Sequence, residues 1–161
     1  MGGASPGDEG GGAEVIRVDS VKVPVALITG GNAGIGRAAA AELLACGWEV
    51  AITARRPSAG ASAVRMLERV GPGPVTCLPL DLADLASVRE CAQAVRARWG
   101  SLEALINNAG TIRSKRALSV DGYELTFQVN HLGHFLLTTL LLDRLRVGEA
   151  SGVSGGRVVT V

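Results

Sequence analysis

A chain of 161 residues with a formal net charge of +1 has room for one ordinary domain and carries no field that would gather a phosphate backbone, so nucleic acid is not an expected partner. Aromatic residues make up only 3%, and a core of Ala, Val, Leu and Ile suits strands covered on both faces by helices. The three cysteines, Cys46, Cys77 and Cys91, have no CxxC spacing, which argues against a disulfide framework and against zinc and favours a reducing, cytoplasmic setting.

Residues 1–22 are Gly-rich, with acidic residues and no apolar run, and read as a disordered tail rather than a signal or transit peptide. Gly2 invites myristoylation, but Pro6 stands where that motif wants Ser or Thr. From Val23 onward, short β-rich runs alternate with helix-length amphipathic segments, the pattern of βαβ units around a parallel sheet. VPVALIT (23–29) is the first predicted strand; a glycine loop follows, and a helix rich in Ala and Leu runs to Gly47, a residue suited to a left-handed cap. WEVAITA (48–54) is the second strand. Arg55, Arg56 and Pro57 then turn the chain, and Ser58 is expected to cap a helix reaching about Val70.

VTCLPLDL (75–82) is the third strand with its exit, followed by a helix over Leu85 to Trp99 that Gly100 stops. LEALINNAG (102–110) supplies the fourth strand, and a loop holding Arg113, Lys115 and Arg116 leads into one long helix through Leu145. Within it, the apolar stretch from Leu132 is broken by His134, Asp143 and Arg144 and is too short to span a membrane. GEASGVSGG (148–156) is a turn, and RVVTV (157–161) is the fifth strand.

The chemistry concentrates where strands end. The loop Thr29-Gly30-Gly31-Asn32-Ala33-Gly34-Ile35-Gly36 lies between a strand and a helix, so its glycines allow a tight turn and a close backbone approach while the helix N-terminus offers N–H donors to a pyrophosphate. Thr29, Gly30, Asn32, Gly34, Ile35 and Gly36 are its candidate cofactor contacts, although the GxxxGxG spacing differs from the GxGxxG fingerprint. After the second strand stands Arg55, where NAD-selective folds place a carboxylate. A guanidinium there can grip a 2′-phosphate, which favours NADP, or it can simply be a solvated basic turn. Asp81 can accept from an adenine amino group, yet Asp81 or Asp84 can equally cap the next helix. In NNAG (107–110), asparagine amides can tie the strand to its neighbour, while Ala109 and Gly110 let a ribose or nicotinamide come close. His131 and His134, three apart on one predicted helix face, are two ligands without a third, so packing or surface roles and no metal are expected.

TGGNAGIG, NNAG and VNHLGHFLLT, in this order and at these separations, resemble the short-chain dehydrogenase/reductase family, the last motif its retinol-dehydrogenase-like branch. The resemblance covers about Val23 to Val161 and implies an α/β, Rossmann-type doubly wound parallel sheet binding NADP (NADPH), cut after its fifth strand. It implies that Gly30, Gly34, Ile35 and Gly36 line the pyrophosphate, that Arg55 reads the 2′-phosphate, that Asp81 and Leu82 meet adenine, and that Asn108, Ala109 and Gly110 meet ribose and nicotinamide. Asn130 matches the family's active-site asparagine, which holds a water of the proton relay through a distortion of the helix backbone.

The family's chemistry also needs a serine just after the fifth strand and a tyrosine with a lysine four residues later. Tyr123 is the sole tyrosine, Phe127 stands four residues on, and Tyr123 is expected to be a packing residue. The implied function is an NADP-dependent oxidoreductase of lipophilic alcohols or carbonyls, retinoid- or steroid-like, inactive in this truncated form. The alternative is a non-catalytic NADP-binding or dimerising module, with the helix 132–145 as the family's interface for a homo- or heterodimer.

Overall fold

The computed structural model describes residues 1, 23–146 and 155–161. Residues 2–22 of the expected tail and most of the turn at 148–156 lie outside the described residues. Five strands, β1 (Val25–Ile28), β2 (Glu49–Ala54), β3 (Val75–Pro79), β4 (Ala104–Asn107) and β5 (Arg157–Thr160), make one parallel sheet in the order β3-β2-β1-β4-β5. This is the doubly wound order: the chain steps outward from β1 to β3, then crosses back to place β4 on the other side of β1. The switch point therefore lies between β1 and β4, and ligands of such sheets bind outside the strand C-termini there.

The helices α1 (Gly34–Ala45), α2 (Pro57–Leu67), α3 (Leu85–Arg98), α4 (Leu125–Phe127) and α5 (Gly133–Arg146) divide between the two faces. Consecutive residues of β1 point oppositely, so Leu27 packs with Leu105, Val88, Val95, Leu137 and Leu141 on the α3/α5 side. Ile28 packs with Ile52, Ala40, Leu44, Ala63 and Leu67 on the α1/α2 side. A strand covered on both faces has no polar alternation to show, which is why VALI reads as a continuous apolar run. Each such Leu or Ile, fully removed from water, contributes roughly 1.5–3 kcal/mol. At the sheet edge, Val158 and Val159 of β5 remain about half exposed.

Two expectations are corrected. Ser58 does not cap α2: the helix starts at Pro57 with Arg56 as N-cap and no side-chain cap bond, because proline lacks an N–H and its preset φ already suits the first helical position. The helix ends at Leu67, within three residues of the expected Val70. The long helix is not continuous, since α4 runs into a π-turn at Gln128–Leu132 before α5 resumes the α-helical register. The Gly133 N–H bonds to Gln128 O, five residues back, instead of the residue four back. Polar contacts hold this turn: Gln128 is fully buried, donates from Nε2 to the exposed Asp121 at 2.6 Å and meets the Ser119 hydroxyl, while the Glu124 carboxylate caps Thr126 and Phe127. Among the described residues no helix is long and apolar enough to cross a membrane, and no group of three or more His, Cys, Asp or Glu could hold a metal.

Candidate functional site

A cavity of ≈ 290 Å³ opens at the C-terminal ends of the strands. Of the expected contacts, Gly30, Asn32, Arg55, Asp81, Leu82, Ala109 and Gly110 line it, so four separate stretches of sequence converge. Thr29, Gly34, Ile35, Gly36 and Asn108 do not line it, nor does Asn130, although its neighbour Val129 does. Thr53, Arg56, Thr111 and Arg113 join the wall without having been singled out as contacts. For Arg113 a signal existed: it follows Gly110 by three residues at the same strand-exit edge as the arginines after β2.

The glycine loop is shaped by backbone demands. Gly34 has φ +54, and space above it is open, so the chain can turn there without a side chain in the cleft. A Cβ on Gly36 would stand 2.4 Å from Asn108 Nδ2 and 2.9 Å from Gly30 O, which α1 tolerates only as glycine. The N-cap of α1, Ala33, makes no side-chain cap bond, and the first turn holds no acidic residue. The end of α1 therefore presents N–H groups and a positive dipole end with no carboxylate competing for them.

The two aspartates after β3 separate cleanly. Asp84 is the N-cap of α3, accepting from Ala86 N–H at 2.8 Å and Ser87 N–H at 3.4 Å. Asp81 lines the cavity, with Oδ1 accepting from Ala83 N–H at 3.0 Å and its own N–H donating to Ser87 Oγ. Arg55 and Arg56 are exposed at the mouth of β2, and Arg55 makes no hydrogen bond or ion pair with the other described residues.

On the β4 side the groups bond to one another. Thr29 Oγ1, fully buried, accepts from Asn108 N–H at 2.9 Å and Ala109 N–H at 3.0 Å, and lies 2.9 Å from His134 Nε2. Asn108 Nδ2 donates to Thr29 O at 2.9 Å, the expected tie from strand to strand, while Asn107 Nδ2 reaches α5 instead, donating to Thr138 Oγ1 at 3.1 Å. Asn130 sits inside the π-turn, so the anticipated backbone distortion is present. Its side chain is doubly engaged with one residue: Oδ1 accepts from Thr111 N–H at 2.8 Å, and Nδ2 donates to Thr111 O at 2.9 Å.

The two histidines do not share a face. His131 is exposed and stacks between Phe127 and Phe135 at 5.3 and 6.4 Å, whereas His134 is only 6% exposed, because the π-turn alters the helical register between them. Burial pulls the His134 pKa below its ordinary value, with the bond to the Asn130 carbonyl pulling partly back. Tyr123, expected to pack, is 48% exposed. Burial, then the neighbouring Cys77, pushes the Cys91 thiol up to about 12, which keeps it protonated.

The short chain dehydrogenase family profile matches residues 24–161. Polyprenol dehydrogenase of Mus musculus is 45% identical over 138 residues, spanning 85% of this chain and 41% of that protein. Retinol dehydrogenase 11 of Mus musculus is 40% identical over 137 residues, spanning 83% of this chain and 43% of that protein. The chain thus spans less than half the length of these curated relatives. Among solved structures, the Pseudomonas aeruginosa RhlG/NADP active-site complex superposes with a TM-score of 0.73 at 34% identity, over 88% of this chain and 55% of that one. The NADH-dependent reductase A1-R' complexed with NAD also gives 0.73, at 27% identity over 86% and 59%.

Proposed function

The chain belongs to the short-chain dehydrogenase family, and from that premise we propose that it carries the NADP-binding part of an oxidoreductase acting on lipophilic alcohols or carbonyl compounds. The observation that carries this reading is the single cavity shared by the glycine loop, the arginines after β2, Asp81 and the Ala109–Gly110 step. These donors suit a dinucleotide. The uncapped N-terminus of α1 would hold the pyrophosphate, Arg55 the 2′-phosphate, Asp81 and Leu82 the adenine, and Ala109 and Gly110 the ribose and nicotinamide side. When bound, the nicotinamide supplies the hydride chemistry, and the protein must orient it and deliver a proton.

Asn130 holds its part of the cleft through backbone shape. Its amide is tied to the Thr111 backbone through one lone pair and one N–H, and the main-chain carbonyl of the π-turn, which also faces His134 Nδ1 at 3.3 Å, is the group that would position a water through its second lone pair. Tyr123, the sole tyrosine in these 161 residues, has Phe127 and not lysine four positions on, so no proton-delivering Tyr–Lys pair is available to the chain as given and its expected activity is cofactor binding. The relatives named for polyprenol and retinol support a lipophilic substrate, and the free thiols support a reducing compartment such as the cytoplasm.

Fluorescence titration with NADPH and NADH tests this directly. Saturable binding with NADPH preferred is expected, together with no NADPH oxidation in the presence of ketones or retinaldehyde. Equal affinities would remove the NADP assignment, and no binding of either would remove the reading altogether. A second reading, a non-catalytic module that pairs with another subunit, draws on α5, where Phe135 is 65% and Leu142 38% exposed. Sedimentation at rising concentration separates it: a dimer that Phe135→Asp dissociates supports it, and a monomer throughout opposes it.

A further inference from the structure

We propose that His134 is a positioning residue: a neutral imidazole, protonated on Nδ1, that accepts a hydrogen bond from Thr29 and donates one to the Asn130 carbonyl, locking the cofactor-side strand ends to the asparagine turn. The assignment follows from counting lone pairs. A threonine hydroxyl has one proton and two acceptor sites. Both acceptor sites of Thr29 Oγ1 are used by the N–H groups of Asn108 and Ala109, at 2.9 and 3.0 Å. What remains is the proton, and two acceptors are near it: Ile106 O at 3.4 Å and His134 Nε2 at 2.9 Å. Ile106 O already accepts the Thr29 N–H at 3.0 Å, so the shorter contact takes the proton and Nε2 is an acceptor.

A neutral imidazole that accepts at Nε2 carries its hydrogen on Nδ1. That nitrogen lies 3.3 Å from Asn130 O, so it donates to the main chain of the π-turn. Asn130 is thereby held twice, its side chain by the Thr111 backbone and its carbonyl by His134. The ring is only 6% exposed and Thr29 fully buried, so neither bond is diluted by exchange with solvent. Histidine fits because its two ring nitrogens accept and donate at separate atoms on opposite sides of the ring; an aliphatic side chain offers neither bond, and a hydroxyl would have to make both from a single oxygen.

The inference deepens the reading of the cleft as a cofactor site and rests on it for its consequence, but the tautomer stands independently of any ligand. Two measurements keep these apart. In the full chain labelled with ¹⁵N-histidine, long-range proton–nitrogen correlation at neutral pH is expected to show one of the two histidines with a protonated Nδ1 and a bare Nε2. Thr29→Val should move that Nε2 resonance. His131→Gln, which removes the exposed histidine, identifies the one that remains as His134. A protonated Nε2, or two rings averaging between tautomers, overturns the proposal whatever the chain binds.

The second measurement is amide exchange at Thr111, whose N–H is held by Asn130 Oδ1. His134→Leu is expected to speed that exchange roughly tenfold and weaken NADPH roughly tenfold, the loss of one buried hydrogen bond. His134→Gln, whose Oε1 can accept from Thr29 in place of Nε2, is expected to restore most of the affinity. Equal loss in both variants with the fold intact, or no change in His134→Leu, overturns the clamp. Should the unaltered chain bind neither nucleotide, the cofactor reading fails while the tautomer and Thr111 exchange still decide the role of His134.

Discussion

On the β2 and β3 side of β1, the groups at the cleft are charged and open: Arg55 and Arg56 are exposed, and Asp81 spends one oxygen on the local Ala83 N–H. On the β4 side, apart from exposed Arg113 farther along the loop, they are neutral and already joined, with Thr29, Asn108, Asn130 and His134 linked to one another or to nearby backbone at 2.8 to 3.3 Å. Charged groups without protein partners do nothing for the fold and become useful when a ligand brings the opposite charge. Joined neutral groups hold a geometry before any ligand arrives, which is what an oriented reaction requires. The first side should therefore govern which nucleotide binds, and the second whether the cleft keeps its shape.

Thr29→Val is the strongest way to break that division. The substitution is nearly isosteric but strips the acceptor from two backbone N–H groups, Asn108 and Ala109, in a fully buried place. At roughly 1–3 kcal/mol for each orphaned donor, stability should fall by about 2–6 kcal/mol in urea titration. A loss below about 1 kcal/mol would show that the β4 side is not held by these bonds.

Arg55→Ala should do the reverse. Stability is expected to stay within roughly 0.5 kcal/mol, because an exposed side chain without protein partners is removed. NADPH affinity is expected to drop roughly 10- to 100-fold, the worth of a charge-assisted contact, with NADH affinity unchanged. Parallel losses for both nucleotides would place Arg55 elsewhere than at the 2′-phosphate. Asp84→Ala and Asp81→Ala sharpen the same side further. The first removes an N-cap and should cost about 1 kcal/mol of stability with nucleotide binding intact. The second should weaken both nucleotides equally, since adenine is common to them.

The open, charged side was the more legible one in the sequence. Gly34 and Gly36 announce a loop because glycine's tolerance is a local property, and Arg55 announces itself by standing where a carboxylate would otherwise be. Asp81 and Asp84 could not be told apart, since a cap and an adenine acceptor ask for the same carboxylate within the same few residues. The joined side was legible only in part. The bond between Thr29 and His134 spans 105 positions, and no spacing rule reaches that far. The π-turn was legible only through the family resemblance at Asn130, which implies a distorted helix; the apolar periodicity of QVNHLGHFLL by itself does not register one extra residue in a turn and reads as uninterrupted helix. Its presence reversed the expected shared face of His131 and His134.

The smallest effect expected is a pH dependence that belongs to the joined side alone. Burial holds His134 below the ordinary histidine value of 6.5, partly opposed by its bond to the Asn130 carbonyl. In the unfolded chain it titrates at the ordinary value, so below 6.5 the unfolded state binds the proton that the folded state refuses. Stability from this group is thus complete above 6.5, is lost as pH falls through it, and levels off below the folded value. Glu124, held low by the N–H groups of Phe127 and then Thr126, loses its contribution only further into acid, and does so with or without the histidine. Urea midpoints of the chain and of His134→Gln, compared between about pH 7.5 and about pH 5, isolate the imidazole. The unaltered chain should lose more stability across that interval than the variant. Parallel curves would mean that His134 accepts its proton in the folded state as easily as in water, and that the β4 side is less closed than its hydrogen bonds imply.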